Sequence, residues 1–300
     1  MGTLIRMKAE VKNPELPVIT EQGILPYYEG VFVNRLAEQG FTLSAGQKTA
    51  IEAFFTSIGG LTEVVRYYWP FIGNSSNVKA AKVPLIGSKL FDYSDGMTGF
   101  KYNGSNDIIG LTFGPTVISL NTMDFCSDDC CVMAASFVKD SAIVSISGPQ
   151  NLINCGNALQ FRSNSTPVSG SIRPAIFSKA YNATYPANIF QMGVAPDNYN
   201  DAGNTYILLG ISSDKKYCRY AKTNDGTALR QSEPLASMAT YGPVATADRT
   251  KTLSPIDSTG YVSGLSGLVV FSRILTNAEM DTFMGAMKTL NIALGKEITV

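Results

Sequence analysis

Between Gly267 and Leu290 an apolar run passes directly into a helix, and that junction limits what the chain can become. Gly267-Leu-Val-Val-Phe-Ser-Arg reads as a buried strand, and Ile-Leu-Thr276-Asn-Ala-Glu279 turns at once into a helix start. The Thr276 hydroxyl can accept from the backbone N–H of Glu279 while the Glu279 carboxylate accepts from the Thr276 N–H, satisfying two otherwise unpaired donors. Met280, Phe283, Met284, Met287 and Leu290 then recur at i, i+3, i+4 and i+7, which predicts one apolar helix face. That face must dock on another element.

The phrase VVFSRILTNAEM resembles the final inner strand and trailing helix of laminin-G-like, or concanavalin-like, β-sandwich domains. In those domains the strand leads into a short helix after a phrase of the type Asn/Ser-Arg-x-Leu-Ser/Thr-x-x-Glu. The resemblance implies a sandwich and names no ligand.

Charge excludes several function classes. Lys plus Arg number 24, as do Asp plus Glu, and charged residues make up 16% of the chain, so no basic footprint exists for nucleic acid or an anionic membrane. The 45% hydrophobic content is ample for a large core. No apolar run approaches the roughly 20 residues of a membrane span, and Met1-Gly-Thr-Leu-Ile-Arg lacks the form of a signal peptide. Synthesis in a cytoplasm is expected, and the sequons at Asn74, Asn103, Asn164 and Asn182 then carry no meaning. The five cysteines, Cys126, Cys130, Cys131, Cys155 and Cys218, form no disulfide framework and read as reduced thiols. With no histidine in the chain and no second Cys pair, they do not make a zinc site.

Three regions follow one another. Residues 1–25 contain two prolines, scattered charge and no helical period, and are expected to form an extended anchoring arm. Residues 26–73 form a helical subdomain in this reading: Phe32, Val33 and Leu36 predict a helix ended by Gly40. Ser44 and Gln47 predict a second capping box ahead of Ile51, Phe54, Phe55 and Ile58, with Gly59-Gly60 as the stop. Residues 74–300 read as the β-sandwich with its C-terminal helix. Strand-like runs lie at Ile108 to Phe113, Val117 to Leu120, Cys131 to Val138, Ala142 to Ser147, Ala175 to Ser178, Tyr206 to Ile211 and Gly267 to Phe271, separated by Gly, Pro, Asn, Asp and Ser clusters. The predicted fold class is mainly β, an antiparallel concanavalin-like (jelly-roll) sandwich with a small N-terminal helical subdomain. The runs flanking Lys139-Asp-Ser141 predict a hairpin.

The segment LSAGQKTAIEAFFTSIGGLTEVVRYYWPFIG is similar to one found in many tailed-phage virion proteins, where a helix, a Leu-x-Gly-Leu-Trp-x-x-Leu phrase and an aromatic-Pro-x-x-Gly turn lead into a laminin-G-like sandwich. Here Thr62 follows Leu61 in place of the usual Trp, and Val64 and Val65 take the apolar positions.

Catalytic signatures are sparse. Glycan cleavage needs two carboxylates about 5 to 9 Å apart, and concanavalin-like enzymes usually carry them as Glu-x-Asp-x-x-Glu on one strand. Glu233 is the one glutamate between Val64 and Ala278, in a loop-like context before Pro234. Asp128 and Asp129, adjacent on a strand, would face opposite sides. Without histidine the usual general base is missing, and no nucleophile elbow or phosphate loop appears. No enzymatic activity is therefore expected, and no cofactor. Laminin-G-like resemblance implies calcium as the metal to consider, with Asp128 and Asp129, Asp197 and Asp201, or Asp92 and Asp95 as ligands, although each cluster is also an ordinary turn sequence. Tyr181, Tyr185, Tyr199 and Tyr206, in or next to the Asn-rich stretch 180–204, are the residues through which glycan rings could be stacked. Trp69, before Pro70 at an expected helix end, is predicted to plug the seam between helices and sandwich, with Phe54, Phe55 and Phe283 as packing anchors.

The expected function is that of a virion structural protein of a tailed bacteriophage, a capsid decoration or head-fibre subunit anchored to other virion proteins by its arm. A homo-oligomer, a trimer for instance, would bury the open sheet edges. The alternative is a tail-associated adhesion module that binds host-surface glycans through its sandwich loops.

Overall fold

The computed structural model describes residues 25–91, 98–113, 118–119, 130–139, 150–155, 159–168, 171–178, 190–193, 203–212, 216–222, 230–232, 252–253, 264–273 and 275–296. The arm expected at residues 1–25 therefore lies outside them, apart from its last residue. Two helices come first, α1 (Leu25–Glu38) and α2 (Ala45–Ile58), followed by a 3-10 turn (Gly59–Val64) and strand β1 (Val65–Trp69). After a second 3-10 turn (Lys79–Lys82) come β2 (Thr98–Tyr102), β3 (Ile108–Phe113), β4 (Ile118–Ser119), β5 (Cys130–Lys139), β6 (Gln150–Cys155), β7 (Leu159–Val168) and β8 (Ser171–Ser178). The series ends with β9 (Phe190–Gly193), β10 (Gly203–Ser212), β11 (Lys216–Lys222), β12 (Arg230–Ser232), β13 (Thr252–Leu253), β14 (Gly264–Phe271) and α3 (Asn277–Ala293).

The described strands form two sheets, and every pairing among the described residues is antiparallel. One has eight strands in the order β12-β11-β10-β5-β14-β3-β2, with β1 also on β14, and the other has six in the order β4-β13-β6-β7-β8-β9. Both edges of β5 are occupied, by β10 along its whole length and by β14 from Val132 to Val138. The hairpin expected between β5 and Ala142 to Ser147 is thereby corrected: a strand has two edges, and distant segments take both of these. Residues 142–147 lie outside the described residues.

Strand β14 holds the centre because it is apolar in both directions. Leu265, Leu268, Val269 and Val270 are all fully buried, as expected for a strand covered on two faces. Cross-strand partners share a face, so Val269 lies beside Tyr68 on one side while Leu268 lies beside Trp69 on the other. The first side carries the helices. Phe54, Phe55 and Ile58 of α2, Met280, Phe283, Met284, Met287 and Leu290 of α3, Tyr68, Val269 and Phe271 belong to one buried cluster. Phe283 sits edge-on to Phe271 at 4.8 Å and to Phe54 at 5.8 Å. Burying an aromatic or Leu-sized side chain there contributes about 1.5–3 kcal/mol.

The helix limits follow local chemistry. Ser44 and Gln47 form a capping box on α2, as Thr276 and Glu279 do on α3. Helix α1 ends at Gly40 in a left-handed conformation (φ 72°), with Phe41 N–H donating to Leu36 C=O and Gly40 N–H to Ala37 C=O. Those two bonds define a Schellman stop. Helix α3 ends the same way: Gly295 has φ 67°, Lys296 N–H donates to Asn291 C=O and Gly295 N–H to Ile292 C=O. The stop turns Lys296 back toward the sheet.

Candidate functional site

The register of β14 slips between Leu265 and Gly267, which pair with Phe137 and Ser136 of β5, so Ser266 is the extra residue of a β-bulge. A bulge re-aims its residue, and here Ser266 faces inward. Its hydroxyl donates to the Ser136 hydroxyl at 2.7 Å, and the Asn291 side-chain amide of α3 donates to the same oxygen at 3.0 Å. Ser136, Ser266 and Asn291 are all fully buried. Among the described residues, the side-chain oxygen of Asn291 and the Tyr68 hydroxyl are buried without a hydrogen-bond partner. Desolvation raises the Tyr68 pKa far above the ordinary phenol value, so it stays neutral.

Lys296 lies beside this knot. Its amine donates to the backbone carbonyls of Pro70 and Phe71, which follow β1, and of Ser266 in the bulge at 2.9 Å. The residue is 1% exposed, and burial lowers its pKa to about 7. Phe71 adopts φ 50°, a left-handed conformation uncommon for a bulky residue, and this turns the chain away after Trp69.

At the surface, the end of α2 and the start of α3 border an open groove of about 360 Å³ lined by Ile58, Gly60, Leu61, Arg273, Ala278, Glu279 and Thr282. Arg273 donates to both Glu279 carboxylate oxygens, at 2.9 and 2.7 Å, and Thr276 N–H donates to one of them at 2.7 Å. The Arg273 bonds, aided by Thr276, hold the Glu279 pKa down to about 2, and the Glu279 bond raises that of Arg273. The pair is neutral overall and its carboxylate is already occupied, so it offers no free acid or base.

The sequence-selected residues are distributed as follows. Phe54, Phe55 and Phe283 meet in the helix–sheet core. Trp69 ends a strand rather than a helix; it stacks on Tyr67 at 5.0 Å, meets Phe91 edge-on at 5.4 Å and donates its indole N–H to Lys89 C=O. The ring at the helix–sheet seam is Tyr68, 5.3 Å from Phe54 and 6.4 Å from Phe283, because neighbouring strand residues point to opposite faces. Asp128, Asp129, Asp197, Asp201, Tyr181, Tyr185 and Tyr199 lie outside the described residues, as do Asp92, Asp95 and Glu233. Tyr206 pairs with Ser136 and Ala221 in the backbone ladder of β10. Among the described residues no group of three or more His, Cys, Asp or Glu side chains is placed to hold a metal ion. Ser266 and Lys296 escaped the sequence reading; the one available signal was Gly295, a helix stop that forces the next residue inward.

The class this fold defines is a mainly antiparallel β protein with helices packed on the central strand of its larger sheet. No family model and no curated protein matches the chain. Solved structures do. A GH54 α-L-arabinofuranosidase soaked with a cyclic sulfate inhibitor is similar at 10% identity and TM-score 0.40, over 66% of this chain and 43% of that one. The binding domain of botulinum neurotoxin serotype D is similar at 9% identity and TM-score 0.46, over 76% and 52%. A structure described under the cell entry of botulinum neurotoxin type C, dependent upon interaction with two ganglioside molecules, is similar at 8% identity and TM-score 0.39, over 63% and 45%. The chain thus spans about half the length of these structures. The expectation of no enzymatic activity is corrected by the arabinofuranosidases among the matches. A catalytic carboxylate pair is defined by distance in space, not by spacing in sequence, so a missing Glu-x-Asp-x-x-Glu phrase does not exclude one. At these TM-scores the likeness assigns neither an activity nor a ligand to this chain.

Proposed function

We propose that the chain is a structural subunit of a tailed-phage particle, a capsid decoration or head-fibre protein whose residues 1–25 anchor it to neighbouring virion proteins. Its two sheets stack as a concanavalin-like sandwich in this reading, and copies associate as a homo-oligomer. The observation that supports it is the meeting of two separate segments. Ser44 to Gly73 is similar to phage virion sequences and Gly267 to Leu290 to laminin-G-like domains, and their side chains pack together through Phe54 and Tyr68 on one part and Phe283 on the other. Virion proteins with that first phrase lead it straight into such a sandwich.

The test is removal of residues 1–24, which leaves α1 whole. Particles assembled with the truncated chain should lack it, while the full chain is incorporated. Incorporation of the truncated chain at the full-length level would contradict arm anchoring. A glycan array reads the alternative: binding retained by the truncated chain, together with unaffected incorporation, would favour a tail-associated adhesion module.

A further inference from the structure

We propose that the carbonyls of Pro70, Phe71 and Ser266 form a monovalent-cation cage, which the chain fills with its own Lys296 and thereby pins the end of α3 to the turn after β1. An ammonium group has three N–H donors and no acceptor. Among the partners of Lys296 are three carbonyl oxygens, two from the turn after β1 and one from β14. Such convergence is not a by-product of regular structure, since none of the three residues holds a paired position in the sheet ladder. Ser266 is the unpaired residue of the β14 bulge, and a bulged residue is freed from the ladder. Pro70 and Phe71 follow the last residue of β1, where the positive φ of Phe71 turns the backbone. Backbone of that kind persists where its surroundings over-determine it, and the Lys296 contacts are one such constraint.

Delivery of the amine is equally specified. The Schellman stop at Gly295 reverses the chain, and Asn103 of the β2–β3 connection donates its side-chain amide to Gly295 C=O at 3.3 Å. Carbonyl oxygens arranged in this way suit hard monovalent ions, which exchange hydration for a ring of backbone dipoles. Removing the lysine side chain should therefore leave a cavity that still attracts a cation of similar size, because three buried carbonyls would otherwise lose their donors.

The experiment compares thermal melting of the full wild-type chain, Lys296→Ala and Lys296→Met at pH 6. Sodium, ammonium and tetramethylammonium chlorides are used at equal ionic strength. Lys296→Ala should melt lower than wild type in sodium, and ammonium should recover at least half of the loss with a saturating dose dependence. Tetramethylammonium, too large for the cage, should recover none, and Lys296→Met, whose side chain fills the space, should show no ion-specific recovery. Equal recovery in all three salts, or a Lys296→Met variant as stable as wild type, would overturn the proposal. Should Lys296→Ala not fold, nitrogen-15 NMR of lysine-labelled wild type decides. One ammonium signal protected from solvent exchange, absent from Lys296→Arg, is expected at pH 6, and a set of lysine amines that all exchange rapidly would contradict the cage.

Discussion

Burying the Lys296 amine lowers its pKa from 10.5 to about 7, so between those values the unfolded chain carries a proton that the folded chain lacks. Stability attributable to this residue therefore rises with pH from about 7 to about 10.5 and is level on either side, because below the window both states are charged and above it both are neutral. The three carbonyls oppose the shift, so the rise should be smaller than burial alone would produce. Urea unfolding of wild type and Lys296→Met at pH 6.5, 8 and 9.5 checks this: the wild-type midpoint should gain on the variant's as pH increases, and parallel curves would contradict the assignment. Apart from the helix stop at Gly295, none of this was legible in the sequence. Lys296 finds its acceptors 226, 225 and 30 residues away. Capping residues differ in that Ser44 and Gln47, or Thr276 and Glu279, reach each other across three positions, and their chemistry can be read along the chain.

Elements inherit their limits from such local chemistry and their neighbours from distant packing. At the start of α3, Glu279 combines a cap with an ion pair, and its side chain is 24% exposed. Glu279→Gln should cost about 1 kcal/mol at neutral pH. Because the folded-state pKa lies below the ordinary value, that contribution is complete above about pH 4.5 and is lost as pH falls through about 2. Melting curves of wild type and variant should accordingly converge toward pH 2. Where α3 crosses β14, a Cβ added at Gly267 would come 2.9 Å from the Met287 methyl and 3.1 Å from the Ser136 hydroxyl. The Met287 methyl ends a flexible side chain and can move aside, but the Ser136 hydroxyl is held by Ser266 and Asn291, so Gly267→Ala should destabilise by about 1 kcal/mol, measurable by denaturant unfolding. The apolar faces of α2 and α3 were readable from their periodicity. The neighbours of β5 were not, since turn chemistry at Lys139-Asp-Ser141 pointed to the next segment while β10 and β14 supplied longer pairings.

For the whole molecule, the antiparallel β class with helices at both ends of the chain was accessible from alternating strand and turn signals and from two apolar helix faces. The meeting of those helices on β14 was not, because residues 45–58 and 277–293 lie far apart in the chain, and Phe54 reaches Phe283 only once the intervening strands have paired. Reading function from missing motifs was less secure: absence of histidine and of a carboxylate phrase gave an expectation of inactivity that does not stand, because a catalytic pair is set by distance in space and not by spacing in sequence. The central proposal concerns position in a particle, and imaging tests it most directly. Purified tailed-phage particles encoding this chain, decorated with gold-labelled antibody against α3 and viewed by electron microscopy, should carry label at regular sites on the head surface. Particles free of the chain by both label and mass spectrometry would contradict the account.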